Sequence, residues 1–420
     1  MRTWPEARIG RLAKVPRAVR IQLWSYNYDP EPTGIGVVST VWARRLRDRG
    51  HEVDIVAAHP HYPEPRWGTR VVPYREIRDG IRILRLPLWI GRGSATERYR
   101  QELTFMVAQT AATPFLGRPE VLVSTSPSFP ALLPAIANVR TRKIPWVLWL
   151  HDVLPDGALA TGLVHNGGPA LAAARRLERA AYRAADRIVV DSPAFIENLA
   201  AKGVPPAKIE LIYLPATRVP VSAAHPRSNG TLRILSMGNI GYTQALASFV
   251  RAFEAHPELT GAATLAITGT GVAADAARAE VISDHVRMLG IISHDDLERE
   301  LSNAHVGLVT QRYVGSEFNI PSKIMNFMAY GLPVLAAVDP SGEAARIVRA
   351  ARAGWVVDSN DPAAFPREVA RIARNEHEIA ELGINARRYA EQHFTQSRFA
   401  ERFEETLHGS LVSHRDSELA

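Results

Sequence analysis

Groups able to hold or break a phosphate ester recur in this chain where a turn leads into a helix. The densest case is the run from Glu317 to Ala336, EFNIPSKIMNFMAYGLPVLA, in which an uncharged turn passes through Pro321 into a helix and then a new apolar strand. Proline fits the first helical turn, where its missing N–H costs nothing, so Ser322 and Lys323 are expected beside backbone N–H groups without intrahelical partners. Such a helix end binds anions, and Lys323 adds a mobile point charge. Asn326, one turn further on, is expected to face the same ligand. Gly331 closes the helix, and Val334, Leu335 and Ala336 read as a buried parallel strand. Taken alone, the run also reads as an ordinary helix-to-strand connection with a surface lysine.

His151 and Asp152, with Asp156 close behind, end the apolar run PWVLWLHD. Ligands in open α/β sheets gather at the carboxyl ends of strands, which makes this pair the best acid–base candidate of the first half. A structural histidine held by a neighbouring carboxylate is the alternative. Gly34 and Gly36 follow YNYDPEPT and precede a helix expected from about Val37 to Arg49. Glycines there let the backbone approach a ligand at the helix start, although a tight turn with no ligand gives the same pattern. His59 and His61 have metal-like spacing in HPHYPEP. Its prolines and the lack of a third nearby ligand favour an exposed binding loop, with Tyr62, over a zinc site.

These residues need a scaffold, and the apolar periodicity supplies one. Strands are expected at Val19–Leu23, Val53–Ala57, IRILRLPL, Val121–Ser124, PWVLWLHD, Ile188–Val190 and Ile209–Ile212, separated by helical stretches. A basic arm over residues 1–17 precedes this first domain, 18–217. From Pro215 to Gly230 the composition turns to proline, serine, alanine and arginine, which marks a linker at 218–230. The alternation restarts with LRILSMGNIG, whose turn holds Gly238, Asn239 and Gly241 before a helix near Gln244. TLAIT then meets Gly269 and Gly271, HVRMLG precedes a helix capped by Ser293, and VGLVT and GWVVD follow. The second domain spans 231–392, and residues 393–420 form a last helix and tail. Both halves read as doubly wound α/β units facing across a cleft.

The chain has 420 residues, 46% of them hydrophobic and 22% charged, a soluble composition too long for one core. It contains no cysteine, which excludes disulfides, thiolate zinc sites and a cysteine nucleophile, and agrees with a cytoplasmic protein. The N-terminus lacks the apolar core of a signal peptide, and the longest uncharged run, Val121–Val139, is broken by serines, threonine and prolines. Through Arg218 there are 31 basic and 19 acidic residues, against 19 and 24 beyond it, so the halves carry +12 and −5 of the total +7. An anionic surface should therefore meet the first half. No basic stripe interleaved with aromatics indicates nucleic acid, and a membrane or a phosphate-bearing acceptor is expected instead. Arg92, Arg98 and Arg100 precede an apolar helix with Phe105 and Met106, a surface suited to lipid headgroups if it is not simply solvated. Arg175, Arg176, Arg179 and Arg183 give a second basic face with the same two readings.

The order of GIG after YDPEPT, RGHEV, HPHYP, GNIG, ITGTG, HVRMLG and PSKIMNFMAYGLPVLA with GEAARIV resembles bacterial glycosyltransferases of family four, in particular the colanic-acid and exopolysaccharide group with fucosyltransferase-type enzymes. The likeness runs from about residue 18 to 405. It implies the GT-B architecture, two Rossmann-like domains with a final helix, here about Gln396–Leu407, returning to the first. It also implies metal-independent, retaining transfer from a nucleotide-diphosphate sugar. On that mapping Pro321, Ser322, Lys323 and Gly241 hold the diphosphate, and Gly34 and Gly36 approach it from the opposite wall. Asn239, Gln244, Gly269, Gly271, Glu317, Asn319 and Asn326 border the donor's sugar or nucleoside. His151 and Asp152 flank the reacting centre, and His59, His61 and Tyr62 face the acceptor.

Breaking a sugar–diphosphate bond requires stabilising the departing charge, by a metal or by N–H groups and cations. No D-x-D motif is present, Asp29 and Glu31 being the nearest approach, so no metal or other cofactor is expected. Two departures from the wider family stand out. Asn326 occupies the place of a ribose-binding glutamate, whose partner is approximated only by Glu317. Asn239 and Gln244 lie near the places of an arginine and a lysine, and Arg312 with Lys323 is the expected replacement. The resulting expectation is an enzyme that transfers a sugar to a hydroxyl of a polyprenyl-diphosphate-linked oligosaccharide in surface polysaccharide synthesis, peripheral on the inner face of the cell membrane. A noncatalytic scaffold on this fold, partnering another transferase, and a nucleotide-sugar epimerase are the alternatives.

Overall fold

The computed structural model describes residues 17–32, 34–62, 67–91, 95–126, 128–152, 168–220, 230–312 and 318–419. Glu317, Asp156, Arg92, nearly all of the basic arm and most of the linker lie outside them.

The first sheet contains β1 (Arg20–Ser25), β2 (Glu52–Ala58), β3 (Tyr74–Arg78), β4 (Ile81–Leu86), β5 (Val121–Thr125), β6 (Trp146–Trp149), β7 (Arg187–Val190) and β8 (Ile209–Leu211). Their spatial order is β3-β4-β2-β1-β5-β6-β7-β8, parallel throughout except for the β3–β4 hairpin at one edge. The second sheet holds β9 (Leu232–Met237), β10 (Ala263–Thr268), β11 (Val286–Gly290), β12 (Val306–Thr310), β13 (Val334–Val338) and β14 (Gly354–Asp358), in the order β11-β10-β9-β12-β13-β14. Strands such as β6 and β13 are buried at every position because helices cover both faces, which is why they read as unbroken apolar runs. In each sheet the chain builds outward in one direction from its first strand and then returns to that strand's other side. The switch points therefore fall between β1 and β5 and between β9 and β12, and a crevice opens beyond the strand ends there.

Two elements differ from expectation. The β3 strand is new, joined to β4 by Asp79 and Gly80, both at positive φ. The last helix runs from Gln396 to Leu419 rather than stopping near Leu407, since nothing in the following sequence breaks it and His414 reaches Asp186 at the start of β7. This helix packs on the first domain's helix Ile35–Asp48. Phe403 meets the rings of Trp42 and Trp149 at 5.8 and 4.7 Å, and Glu404 accepts from Arg49 and from His51 Nε2. Val19 N–H donates to His51 Nδ1, which fixes the tautomer that donates to Glu404. The two chain crossings between the domains are tied together, Ala216 N–H to Phe394 O and Gln396 Nε2 to Ala216 O.

Candidate active site

The crevice between the switch points is a cavity of about 360 Å³, within the range of small-molecule sites. One wall comes from the first domain through Gly34, Val37, Val38 and Tyr62. The other comes from the turns after β9, β10, β11 and β12, and Thr217 and Arg218 close it at the domain crossing. Among the described residues no aspartate or glutamate lines it, while Lys323 and Arg218 do. Among the described residues, neither cation has an ion-pair partner. Desolvation by the surrounding protein pulls the Lys323 ammonium down to about 8.

The glycines divide into two groups. Gly34, at φ 65 with open space where a Cβ would stand, and Gly269 both line the cavity. A Cβ on Gly269 would lie 1.8 Å from Gly238 O, and one on Gly271 2.4 Å from Ile240 O, so these two let the turns after β9 and β10 touch backbone to backbone. Gly36 packs on its own loop at Tyr28 and Glu31, and Gly241 sits against Gln244; neither reaches the cavity lining, and neither does Gly271.

The turn after β12 differs in detail from the expected helix start. The helix runs only from Lys323 to Ala329, with Ser322 as its cap residue and Pro321 before it. Pro321 O already accepts from Ile324 N–H, so the turn offers its lysine more than its helix end. Asn326 is buried, and its Oδ1 accepts from Arg218 N–H (2.8 Å) and Thr217 Oγ1 (3.3 Å), across to the domain crossing. Arg312 is exposed and stands outside the cavity lining, although its N–H bonds Thr243 O. Of the expected pair of replacement cations, only Lys323 reaches the cleft.

Asn239 and Gln244 line the cavity with their amide oxygens already engaged. Tyr62 donates from its hydroxyl to Asn239 Oδ1 at 2.8 Å across the cleft, and Gln244 Oε1 accepts from Gly241 N–H at 2.7 Å. A second bridge between domains joins Asn319 Nδ2 to Asp152 Oδ1 at 3.0 Å. The Asp152 carboxyl touches solvent yet lies among dense protein, and desolvation pushes it up. His151 is buried against Trp149, its Nδ1 3.6 Å from Asp191 Oδ2, and its Nε2 has no hydrogen-bond partner among the described residues. Burial pushes Asp191 up as well.

His59 and His61 do not form an exposed binding loop. Both are buried, because Glu31, itself 3% exposed, gathers the loop: its Oε1 accepts from His61 N–H and Tyr62 N–H and its Oε2 from Asn27. His59 Nε2 bonds Gly68 O at 2.7 Å. Only Tyr62 of that trio reaches the cleft. Phe105 likewise points inward, onto Tyr26, whereas Tyr99, Val107 and Phe115 are the exposed apolar groups of that region.

Sequence reasoning missed Asp191 and Arg218. Asp191 directly follows β7, the same strand-end signal that singled out Asp152. Arg218 sits in a linker composition that carries no local signal.

Two parallel-sheet domains closed over such a cleft are the architecture of the GT-B class. Family models agree: "Glycosyl transferase 4-like domain" matches residues 33–215, and "Glycosyl transferases group 1" matches 231–375. The chain belongs to the bacterial GT-B glycosyltransferases and is an enzyme of that family. It is 26% identical to the "Putative colanic acid biosynthesis glycosyl transferase WcaI" of Escherichia coli K12 over 74% of this chain and 82% of that one. It is also 26% identical to the "Probable glycosyltransferase WbjE" of Pseudomonas aeruginosa, over 61% of this chain and 66% of the relative's length. Its fold superimposes on Anabaena Alr3699/HepE, solved in complex with UDP, with a TM-score of 0.63 at 14% identity, over 92% of this chain and 99% of the other.

Proposed function

We propose that the cleft binds a nucleotide-diphosphate sugar, and that the protein transfers the sugar, without a metal and with retention at the anomeric carbon, to a hydroxyl of a lipid-linked oligosaccharide in surface polysaccharide synthesis. The observation that carries this reading is the cavity's electrostatics: Lys323 stands partly desolvated in a lining that holds no carboxylate among the described residues. A cation held so is stabilised by a polyanion, and most of all by the charge that a diphosphate gains as it leaves. The bond from the anomeric carbon to the diphosphate oxygen breaks while the acceptor oxygen bonds the same carbon and gives up its proton to the departing diphosphate. His151 and Asp152 stand at the seam between domains, where a sugar beyond the diphosphate would lie. The UDP bound by the HepE structure and the colanic-acid assignment of WcaI support the donor class and the pathway class.

An acceptor on an anionic membrane surface fits the +12 charge of the first half. It also fits Phe115, 83% exposed, and Leu133, 51% exposed, which share that half with Arg118, Arg140 and Arg142. No helix among the described residues is long and apolar enough to cross a membrane, so the proposed association is peripheral.

The test is a metal-free calorimetric and thermal-shift panel of UDP, GDP, dTDP, ADP and their sugars against the protein and its Lys323→Ala variant. Saturable binding to one diphosphate, weakened in the variant, is expected. A second reading, a noncatalytic scaffold, draws on the turn after β9, where neutral Asn239 and Gln244 stand and their amide oxygens are already taken by the protein itself. Silence across the panel from a folded protein would select it.

A further inference from the structure

The cavity has a second unpaired cation that lies on neither sheet. Arg218 follows the last strand of the first domain on the crossing into the second, and it lines the same cleft as Lys323. Its guanidinium forms no ion pair among the described residues, and the side chain is only partly exposed. Its charge is felt at the buried Tyr330 phenol, where it opposes the effect of Glu298. A guanidinium that lines the cleft without a carboxylate beside it among the described residues presents its fork of five donors to whatever anion occupies the cavity.

Its placement is built rather than incidental. Asn326 Oδ1 accepts from the Arg218 N–H at 2.8 Å and from Thr217 Oγ1 at 3.3 Å, while Asn326 Nδ2 donates to Ser322 O at 3.4 Å. One buried amide therefore ties the crossing to the turn that carries Lys323. Meanwhile the turn after β9 offers no cation, only Asn239 and Gln244, whose amide oxygens accept from Tyr62 and Gly241.

We infer that Arg218 is the second diphosphate-binding cation of the donor site, supplied by the domain crossing rather than by the turn after β9, and that Asn326 is the residue that positions it. The inference rests on the donor reading above.

The experiment measures, by calorimetry, the affinity of the full chain for UDP, GDP, dTDP and ADP and, by competition, for the matching nucleosides. Arg218→Ala, Arg218→Lys, Asn326→Ala and the Arg218→Ala/Asn326→Ala double variant are compared, with unliganded melting curves of each. For the diphosphate that binds, Arg218→Ala is expected to weaken affinity at least ~10-fold while leaving its nucleoside unchanged, and Arg218→Lys to recover part of the loss and to serve alone if the alanine variant does not fold. The salt dependence of binding should become shallower in the alanine variant. Asn326→Ala should lose part of the same diphosphate increment, and the double variant should bind no worse than Arg218→Ala, which a purely structural role for Asn326 would not produce. Equal diphosphate affinity in the protein and its Arg218→Ala variant, or a loss shared equally by the nucleoside, overturns the inference and leaves the donor reading standing. A wild-type protein that binds no member of the panel overturns both.

Discussion

The two walls of the cleft treat their polar residues in opposite ways. On the first domain, the loop after β2 is rich in groups that look reactive, yet His59, His61 and Glu31 are buried and satisfy one another and the nearby backbone. On the second domain, the turn after β12 offers a single lysine, and that lysine is unpaired among the described residues, in a partly desolvated place. A buried polar group with all its bonds made holds a loop in shape; a desolvated charge with none made is an unfinished site. Residue type alone would rank the histidine loop first, and the bonding ranks it last.

The comparison breaks first at Glu31. Glu31→Ala removes the acceptor of His61 N–H, Tyr62 N–H and Asn27 Nδ2 together, leaving buried donors unpaired, and should cost about 3 kcal/mol of stability. Urea unfolding would read it, and a loss under about 1 kcal/mol would show that the loop does not depend on that carboxylate. Lys323→Ala should do the reverse. Its unliganded melting point should stay or rise, because a desolvated charge is removed, while diphosphate affinity falls about 10- to 100-fold.

The lysine also sets a pH dependence. With its folded value pulled from 10.5 to about 8, Lys323 is neutral in the free protein above pH 8 and must take up a proton to meet the diphosphate. Affinity should therefore fall above pH 8, by up to about tenfold per pH unit. Stability has the opposite slope: between pH 8 and 10.5 the unfolded chain binds more protons at this group than the folded one, so its contribution to stability rises with pH across that window. Calorimetry in buffers of different ionisation enthalpy, from pH 7 to 9.5, would show the proton uptake, and its absence would place another group in this role.

Much of this architecture was legible because parallel strands covered on both faces announce themselves as apolar runs, and each ends in glycine or a polar residue. Ser293 was legible too: its side chain accepts from Asp296 N–H, as the run SHDDLE implied. The β3–β4 hairpin had a signal that went unread, Asp79-Gly80 between alternating segments, the pair that a two-residue turn with positive φ requires. The fate of His61 and of Asn326 was not legible. Their partners lie 30 and 108 residues away, Glu31 and Arg218, and only the folded packing brings those atoms together. Arg218 was hidden for the same reason, since a linker has no period from which to infer what it faces.

The smallest effect sharpens the comparison most, because it concerns the one described residue of the histidine loop that lines the cleft. Tyr62 donates to Asn239 across the domains, in a partly exposed bond. Tyr62→Phe keeps the ring and removes the donor, so the net loss is one neutral hydrogen bond, about 0.5–1.5 kcal/mol at most and less where water replaces it. If the bond helps to hold the closed cleft, diphosphate affinity should fall by roughly 2- to 10-fold with little change in the melting point of the unliganded protein. A rise in affinity would mean the opposite, that the bond occupies Asn239 and a ligand has to displace it. Either result would assign the loop its share of the site through Tyr62, while its histidines stay with the scaffold.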